Sequence, residues 1–351
     1  MNSTLLSKAE KSYIQAGLQS TPPSRGDGRG LADYRAIALE TGVAPLANGS
    51  ARVSIGRSPH DGAGGTEVLA ASKLEVESVE PGSAGVEGGR VSCSVTCSPA
   101  AYPHLTSSAL DDLQHDLTAL LHESLSHPSL HPRNLGILRG TKHAKAWVLH
   151  LDAVVLVDSG NVCDALFMAA RAALCDTRVP RTRSVEYKAR RNAGAAAAGG
   201  GGGVVGASAA AKGQGDMDVD EEAVSGFDTR QIQSATDFEL PDYWDEGEPL
   251  DGRDRWPICV TLNVVSNVHF LDASTQEESA TPLRLLLLFA FESTQSVKLQ
   301  GMRTLGSSEL TSSQLADLLK AGEKYAREIW QSLNAKLTEE SLAKIKERNK
   351  F

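Results

Sequence analysis

Residues 147–157 read WVLHLDAVVLV, residues 158–161 DSGN, and residues 162–174 VCDALFMAARAAL. The first run is nearly all apolar and β-branched or aliphatic, the signature of a strand covered on both faces. The third places Val162, Ala165, Leu166, Ala169, Ala170, Ala173 and Leu174 at helical spacing, with small residues that let neighbouring backbone come close. A buried strand, a Gly-containing turn and an Ala-rich helix in succession predict a mixed α+β core with this unit at its centre.

Working outward, Leu110, Leu113, Leu117, Leu120, Leu121 and Leu125 line one face of a preceding helix. Before it, Tyr34–Thr41, Ala51–Gly56, Thr66–Val76 and Arg90–Cys97 read as strands. In the last, Val91, Cys93 and Val95 alternate with Ser92, Ser94 and Thr96, the period of a half-buried strand. Ser7 with Glu10 forms a capping box that opens a helix closed by Pro22 and Pro23. Residues 57–65 hold Pro and three Gly, a loop composition. Past Trp256 the pattern repeats: strands at Ile258–Val265, His269–Asp272, Leu283–Phe291 and Ser296–Met302, then a helix opened by Thr311 with Gln314.

The two runs of structure are separated by residues 189–255, Gly/Ala-rich and then acidic. This segment carries 6 basic and 14 acidic residues, a net of −8 in a chain whose total is −9. The rest is therefore near neutral, which excludes a uniformly basic nucleic-acid-binding domain. Little of 189–223 can bury enough apolar surface to offset its ordering entropy, so that part is expected to be disordered. The organisation that follows is a lead-in helix at 1–24, a first part at 25–188, the insert at 189–255 and a second part at 256–351.

Five scattered cysteines, Cys93, Cys97, Cys163, Cys175 and Cys259, suggest reduced thiols. No opening apolar run has the form of a signal peptide, and the longest apolar stretch, Leu285–Phe291, is far short of the roughly 20 residues that cross a bilayer. These features predict a protein without membrane association, in the cytosol or nucleus. Cys93 and Cys97 have no second Cys/His pair at zinc spacing. His115 and His122 share a helix face, yet read as exposed. Gly199–Gly203 is not followed by Lys-Ser/Thr, so it is no phosphate loop. No metal and no cofactor are expected.

Four stretches in order carry a family resemblance: Asp27-Gly28-Arg29 with Tyr34-Arg35; Gly49-Ser50-Ala51-Arg52-Val53; Trp147–Asp152 through Gly160-Asn161 and Asp164-Ala165 to Thr177-Arg178-Val179-Pro180; and Asp272–Glu278. With these the chain resembles the ribonuclease PH family, in particular its members in the exosome ring. The resemblance implies a ribonuclease PH-like fold of two βαβ-type halves around one core, with helices between sheets. It also implies a six-membered ring with other ribonuclease PH-like subunits, cap subunits, an associated nuclease, and RNA in the central channel. The same resemblance implies the nucleus, nucleolus and cytoplasm as its location.

Active members hold inorganic phosphate on a Gly-Gly-Thr-Arg-Thr/Ser loop at a helix N-terminus. Arg grips phosphate with two hydrogen bonds, and the helix end adds N–H groups and dipole. Here the matching loop contains Asn161, Val162 and Cys163, followed by Asp164, so the cation is missing. A second phosphate-binding Arg aligns with Glu123, and the pore-facing Arg positions of relatives fall near Glu123 and Ser126. At the carboxylate end, Asp272 and Glu278 keep the six-residue separation of the family's metal-binding acids, with Glu277 beside them. The reading is of vestiges in a non-catalytic subunit. The alternative is an active phosphate-dependent 3′→5′ exoribonuclease using Asp272 and Glu278. Two basic windows are the RNA-binding candidates: Arg178, Arg181 and Arg183 in 178–191, and Arg133, Arg139 and Lys142, with Lys145, in the other.

Overall fold

A computed structural model describes residues 6–56, 65–79, 89–138, 144–185, 188–189, 231–232, 237–241, 247–291 and 296–348. The Ser7–Glu10 capping box opens α1 (Lys8–Gln19). The first sheet follows: β1 (Ile37–Thr41), β2 (Gly49–Ile55), β3 (Thr66–Val79), β4 (Arg90–Cys97), β5 (Gly136–Leu138) and β6 (Ala144–Val157). Its order is β1-β2-β3-β6-β4, with β5 on β6. All pairs are antiparallel except β4 with β6, which run parallel and are joined through α2 (Ser107–Leu125). β1 starts three residues later than its alternation suggests, because Tyr34 and Arg35 are held by contacts described below.

The quoted unit forms the middle of the molecule. α3 (Val162–Asp176) is buried from Asp164 to Leu174 on every side, more than its stripe implied, because it packs against β2 and β3 of the first sheet and also against the second sheet. Its alanines and Gly49 of β2 make the approach possible: a Cβ on Gly49 would lie 2.6 Å from the Ala173 carbonyl oxygen.

Next comes a thin two-stranded ribbon. β7 (Arg178–Val179), β8 (Arg183–Val185) and β9 (Lys188–Ala189) pair antiparallel with β12 (Glu248–Pro249), β11 (Asp237–Glu239) and β10 (Gln231–Ile232). Residues 237–241 and 247–255, which composition places in the insert, thus form part of the fold. Phe238 meets the Trp147 ring edge-on, centroids 6.2 Å apart, and Leu250 is buried, so the low-complexity character ends before these apolar anchors. Residues 190–230, with most of the insert, lie outside the described residues.

The second sheet has β13 (Ile258–Val265), β14 (Val268–Phe270), β15 (Leu283–Phe291) and β16 (Val297–Gly306), ordered β14-β13-β15-β16 and antiparallel throughout. All eight residues of β13 are buried. The short α4 (Thr275–Ala280) sits between β14 and β15, and α5 (Ser312–Arg348) closes the described chain. α5 lies on the sheet at Gly322, where an added Cβ would reach Leu287, Phe289 and Leu262. Farther on, Asn334 accepts a hydrogen bond from Arg171 of α3 at 2.9 Å, and Lys344 pairs with Asp176 at 2.5 Å. The helix therefore ties the second sheet to the first half. No described helix is long and apolar enough to cross a membrane.

Candidate functional site

Asn161, Val162 and Cys163 open α3 beside the 272–278 loop, so the lost phosphate loop and the three acidic candidates meet in space. Gly160 and Asn161 both have positive φ, 96° and 63°, which turns the chain sharply from β6 into the helix. The first free amide there, Asn161 N–H, donates to Glu278 Oε1 at 2.8 Å. The other Glu278 oxygen accepts from Arg284, 2.9 Å away. A helix N-terminus attracts an anion; here the protein supplies its own. Burial raises the Glu278 carboxyl above its ordinary range, against the opposing pull of Arg284 and the Asn161 amide.

Asp272 is fully buried with φ 46°, a left-handed conformation uncommon outside Gly. Five donors converge on it: Arg35 through its amide (2.7 Å), Nε (2.9 Å) and Nη2 (2.7 Å), Arg29 Nη1 (2.8 Å) and Asn161 Nδ2 (3.1 Å). Burial opposes its charge, yet Arg35 and Arg29 outweigh burial and hold the carboxyl below its ordinary value. Glu277 takes a two-pronged contact from Arg25, 2.9 and 2.7 Å, and caps α4 by accepting from the Ser274 amide at 2.8 Å. Arg25 also reaches the carbonyls of Leu271 and Asp272.

The acids therefore face arginines, and their oxygens are already engaged. Among the described residues no group of three or more His, Cys, Asp or Glu is placed to hold a metal ion. The segment carrying Asp27-Gly28-Arg29 and Tyr34-Arg35 acts here as a clamp that fastens the lead-in to the second half. Arg25 and Arg284, both absent from the sequence reading, complete it. The only sequence signal for Arg25 was the density of arginine between residues 25 and 35, and Arg284 had none.

Asp164 is buried without a cation. It accepts from Thr261 Oγ1 at 2.7 Å and Tyr34 Oη at 2.9 Å, joining α3, β13 and the clamp. Burial pushes its carboxyl up to about 6, partly offset by those hydrogen bonds. The unfolded chain releases this proton at about 3.8, so between those pH values the folded state holds the extra proton, and its stability falls as pH rises. Asp164→Asn removes the effect. Wild type is expected to lose about 2 kcal/mol relative to Asp164→Asn between pH 4 and pH 7. Urea unfolding at several pH values measures this; a constant difference would refute it.

The basic windows are placed less simply. Arg139 and Lys142 lie outside the described residues. Arg133 is exposed in a short 3-10 turn. Arg181 is 3.3 Å from Glu248, Arg183 stands opposite Glu239 in the β8–β11 register, and Lys145 pairs with Asp237 at 2.9 Å. The returning acidic strand thus faces both windows. Arg178, half-buried at the ribbon's base, instead borders a polar cleft with Arg253 and Asn48.

Residues 33–180 match the family described as 3′ exoribonuclease family, domain 1. Over those residues the chain is similar to a ribonuclease PH domain. Among curated relatives, the putative exosome complex exonuclease RRP42 of Dictyostelium discoideum is 26% identical over 327 residues, covering 80% of this chain and 83% of the relative. The exosome complex component rrp42 of Schizosaccharomyces pombe is 32% identical over 180 residues, covering 50% of this chain and 54% of that protein. Apart from the Dictyostelium alignment, this chain spans between 53% and 64% of the length of such relatives. Of solved structures, the Archaeoglobus fulgidus exosome with RNA bound to the active site superposes with a TM-score of 0.61 at 20% identity, covering 92% of this chain and 97% of the other. An archaeal exosome core gives 0.57 at 19%, covering 93% and 96%. These likenesses confirm the ribonuclease PH-like fold across both halves, including the second half that the family match leaves out.

Proposed function

We propose that this chain is a non-catalytic structural subunit of the exosome's six-membered ring. It would support 3′→5′ RNA processing and degradation by binding neighbouring ribonuclease PH-like subunits and cap subunits and by walling the RNA channel. Cleavage falls to an associated nuclease, and the complex works in the nucleus, nucleolus and cytoplasm. One observation supports the absence of catalysis above the rest: the Glu278 carboxylate occupies the N-terminal end of α3. An incoming phosphate would have to displace a carboxylate held by an amide and by Arg284, in a loop where Val162 supplies no cation. Electrostatics at that end repel a second anion.

RNA contact is assigned to the exposed Arg133, Arg181 and Arg183 and to the half-buried Arg178, of which Arg181 and Arg183 also face acids across the ribbon. Such contact is mainly to phosphate and weakens steeply with salt.

The test uses the purified full chain, labelled single-stranded RNA, Mg²⁺ and inorganic phosphate. The expected result is no release of nucleoside diphosphates, together with stoichiometric incorporation into a ring when homologous subunits are supplied. Phosphate-dependent shortening by the isolated chain, lost on Asp272→Asn, would establish an active exoribonuclease instead.

A further inference from the structure

An apolar groove of about 650 Å³ runs between β1 and α5. Leu39, Met168, Leu271 and Leu333 supply apolar lining, with Ile329 from the helix and Ile37 from the strand. β1 is the edge of its sheet, hydrogen-bonded to β2 alone among the described strands. Its Ile37 is 41% exposed, a large apolar side chain at the mouth of an apolar channel. An open edge of this kind offers unpaired N–H and C=O groups.

The rim is acidic. Glu40 on the strand and Glu328 on the helix are both exposed and have no ion-pair partner among the described residues. The one rim cation, Lys336, is engaged by Glu339 and Glu340 at 3.1 and 3.3 Å. The groove thus combines an apolar interior, an open strand edge and, on each wall, a carboxylate outside any ion pair among the described residues; Arg52, opposite Glu40 in the β1–β2 register, is engaged by Glu67.

We propose that this groove docks an extended segment of another protein, one in which apolar residues alternate with Lys or Arg. Along a strand, successive side chains point to opposite faces. A segment paired to β1 would send its apolar residues into the lining and bring its cations opposite Glu40 and Glu328, where unlike charges across strands are favourable. Main-chain pairing gives affinity and the side chains give selectivity. A second copy of this chain fits worse, since antiparallel pairing of two Ile37–Thr41 strands would add another Glu40 to a rim already acidic, in a chain of net charge −9.

The probe is a fluorescein-labelled peptide alternating Lys with Val, Leu and Ile over nine residues, and its counterpart has Glu in place of Lys. Fluorescence anisotropy with the full chain is expected to show binding of the basic peptide alone. The exposed double variant Glu40→Lys with Glu328→Lys should weaken that binding at least tenfold and let the acidic peptide bind. Hydrogen exchange should show new protection at the Ile37–Thr41 amides. Equal binding of both peptides, or protection elsewhere with none at β1, would overturn the proposal. So would failure of Ile37→Asp to join homologous subunits in a ring, which would make the groove a subunit interface.

Discussion

Asp272→Ala is expected to lower unfolding stability by about 3–5 kcal/mol, the cost of removing one partner from a buried ion pair. Asp272 is fully buried, and its loss leaves the Arg35 guanidinium, only 13% exposed as a side chain, with no ion-pair partner among the described residues and Arg29, equally covered, with Asp27 alone at 2.6 Å. Arg25 stays paired with Glu277 but loses no bond, since it uses the Asp272 carbonyl and not the side chain. Asp272→Asn keeps the shape and removes the charge, so it should cost less than Ala while retaining the same sign. The pH dependence follows from the lowered carboxyl. Its stabilisation is present above the unfolded-state value of 3.8 and lost as pH falls through the lower folded-state value, so the gap to Asp272→Asn narrows in acid. Urea unfolding with and without Mg²⁺ separates this role from a metal-binding one. No shift of the wild-type midpoint on adding Mg²⁺ is expected. A midpoint raised by Mg²⁺ and made insensitive to it by Asp272→Asn would show a metal ligand in place of a clamp.

Much of this architecture was legible from residues 147–174 outward, because strand and helix periods are local. β4 and β15 begin and end where alternation and apolar content place them, Arg90–Cys97 and Leu283–Phe291. The caps of α1 and α5 were equally readable, since Ser7 with Glu10 and Thr311 with Gln314 are three residues apart. α4 was passed over as a helix: six residues are too few for a period, although its Ser274–Glu277 cap has the same spacing. The roles of the acids were not legible at all. Arg35 and Asp272 are 237 residues apart, and nothing local says that a carboxylate near the chain's end will meet an arginine near its beginning. Resemblance located Asp272, Glu277 and Glu278 as a group; only geometry shows that each answers to a different arginine. The ribbon has the same lesson. Composition gave residues 237–241 and 247–255 to the insert, whereas Phe238 against Trp147 and the burial of Leu250 decide their place.

Gly160→Ala should be the most damaging single-methyl addition at this site. Gly160 has φ 96°, a backbone conformation that costs an L-residue about 1–2 kcal/mol. The new Cβ would also sit 2.4 Å from the Ala273 carbonyl oxygen and 2.8 Å from the Thr275 nitrogen. Both are backbone atoms, so no side chain can swing away, and overpacking of this kind adds about 1–3 kcal/mol. The contact is tight because the loop is stitched on each side: Thr66 Oγ1 and Arg35 Nη2 donate to the Gly160 carbonyl at 2.5 and 3.0 Å, and Thr275 N–H donates to the Ser159 carbonyl at 3.1 Å. Moving residue 160 therefore draws Asn161 away from Glu278 and loosens the joint between the two halves. Gly28→Ala is the matched control, with φ 77° and no atom within 4 Å of the added carbon, and should show the conformational cost alone. The urea midpoint of Gly160→Ala is expected well below that of Gly28→Ala; equal midpoints would mean that the 159–161 and 273–275 segments part easily. For the proposed ring subunit the distinction would matter, because a scaffold presents its neighbours with surfaces from both halves, and this joint fixes one half against the other.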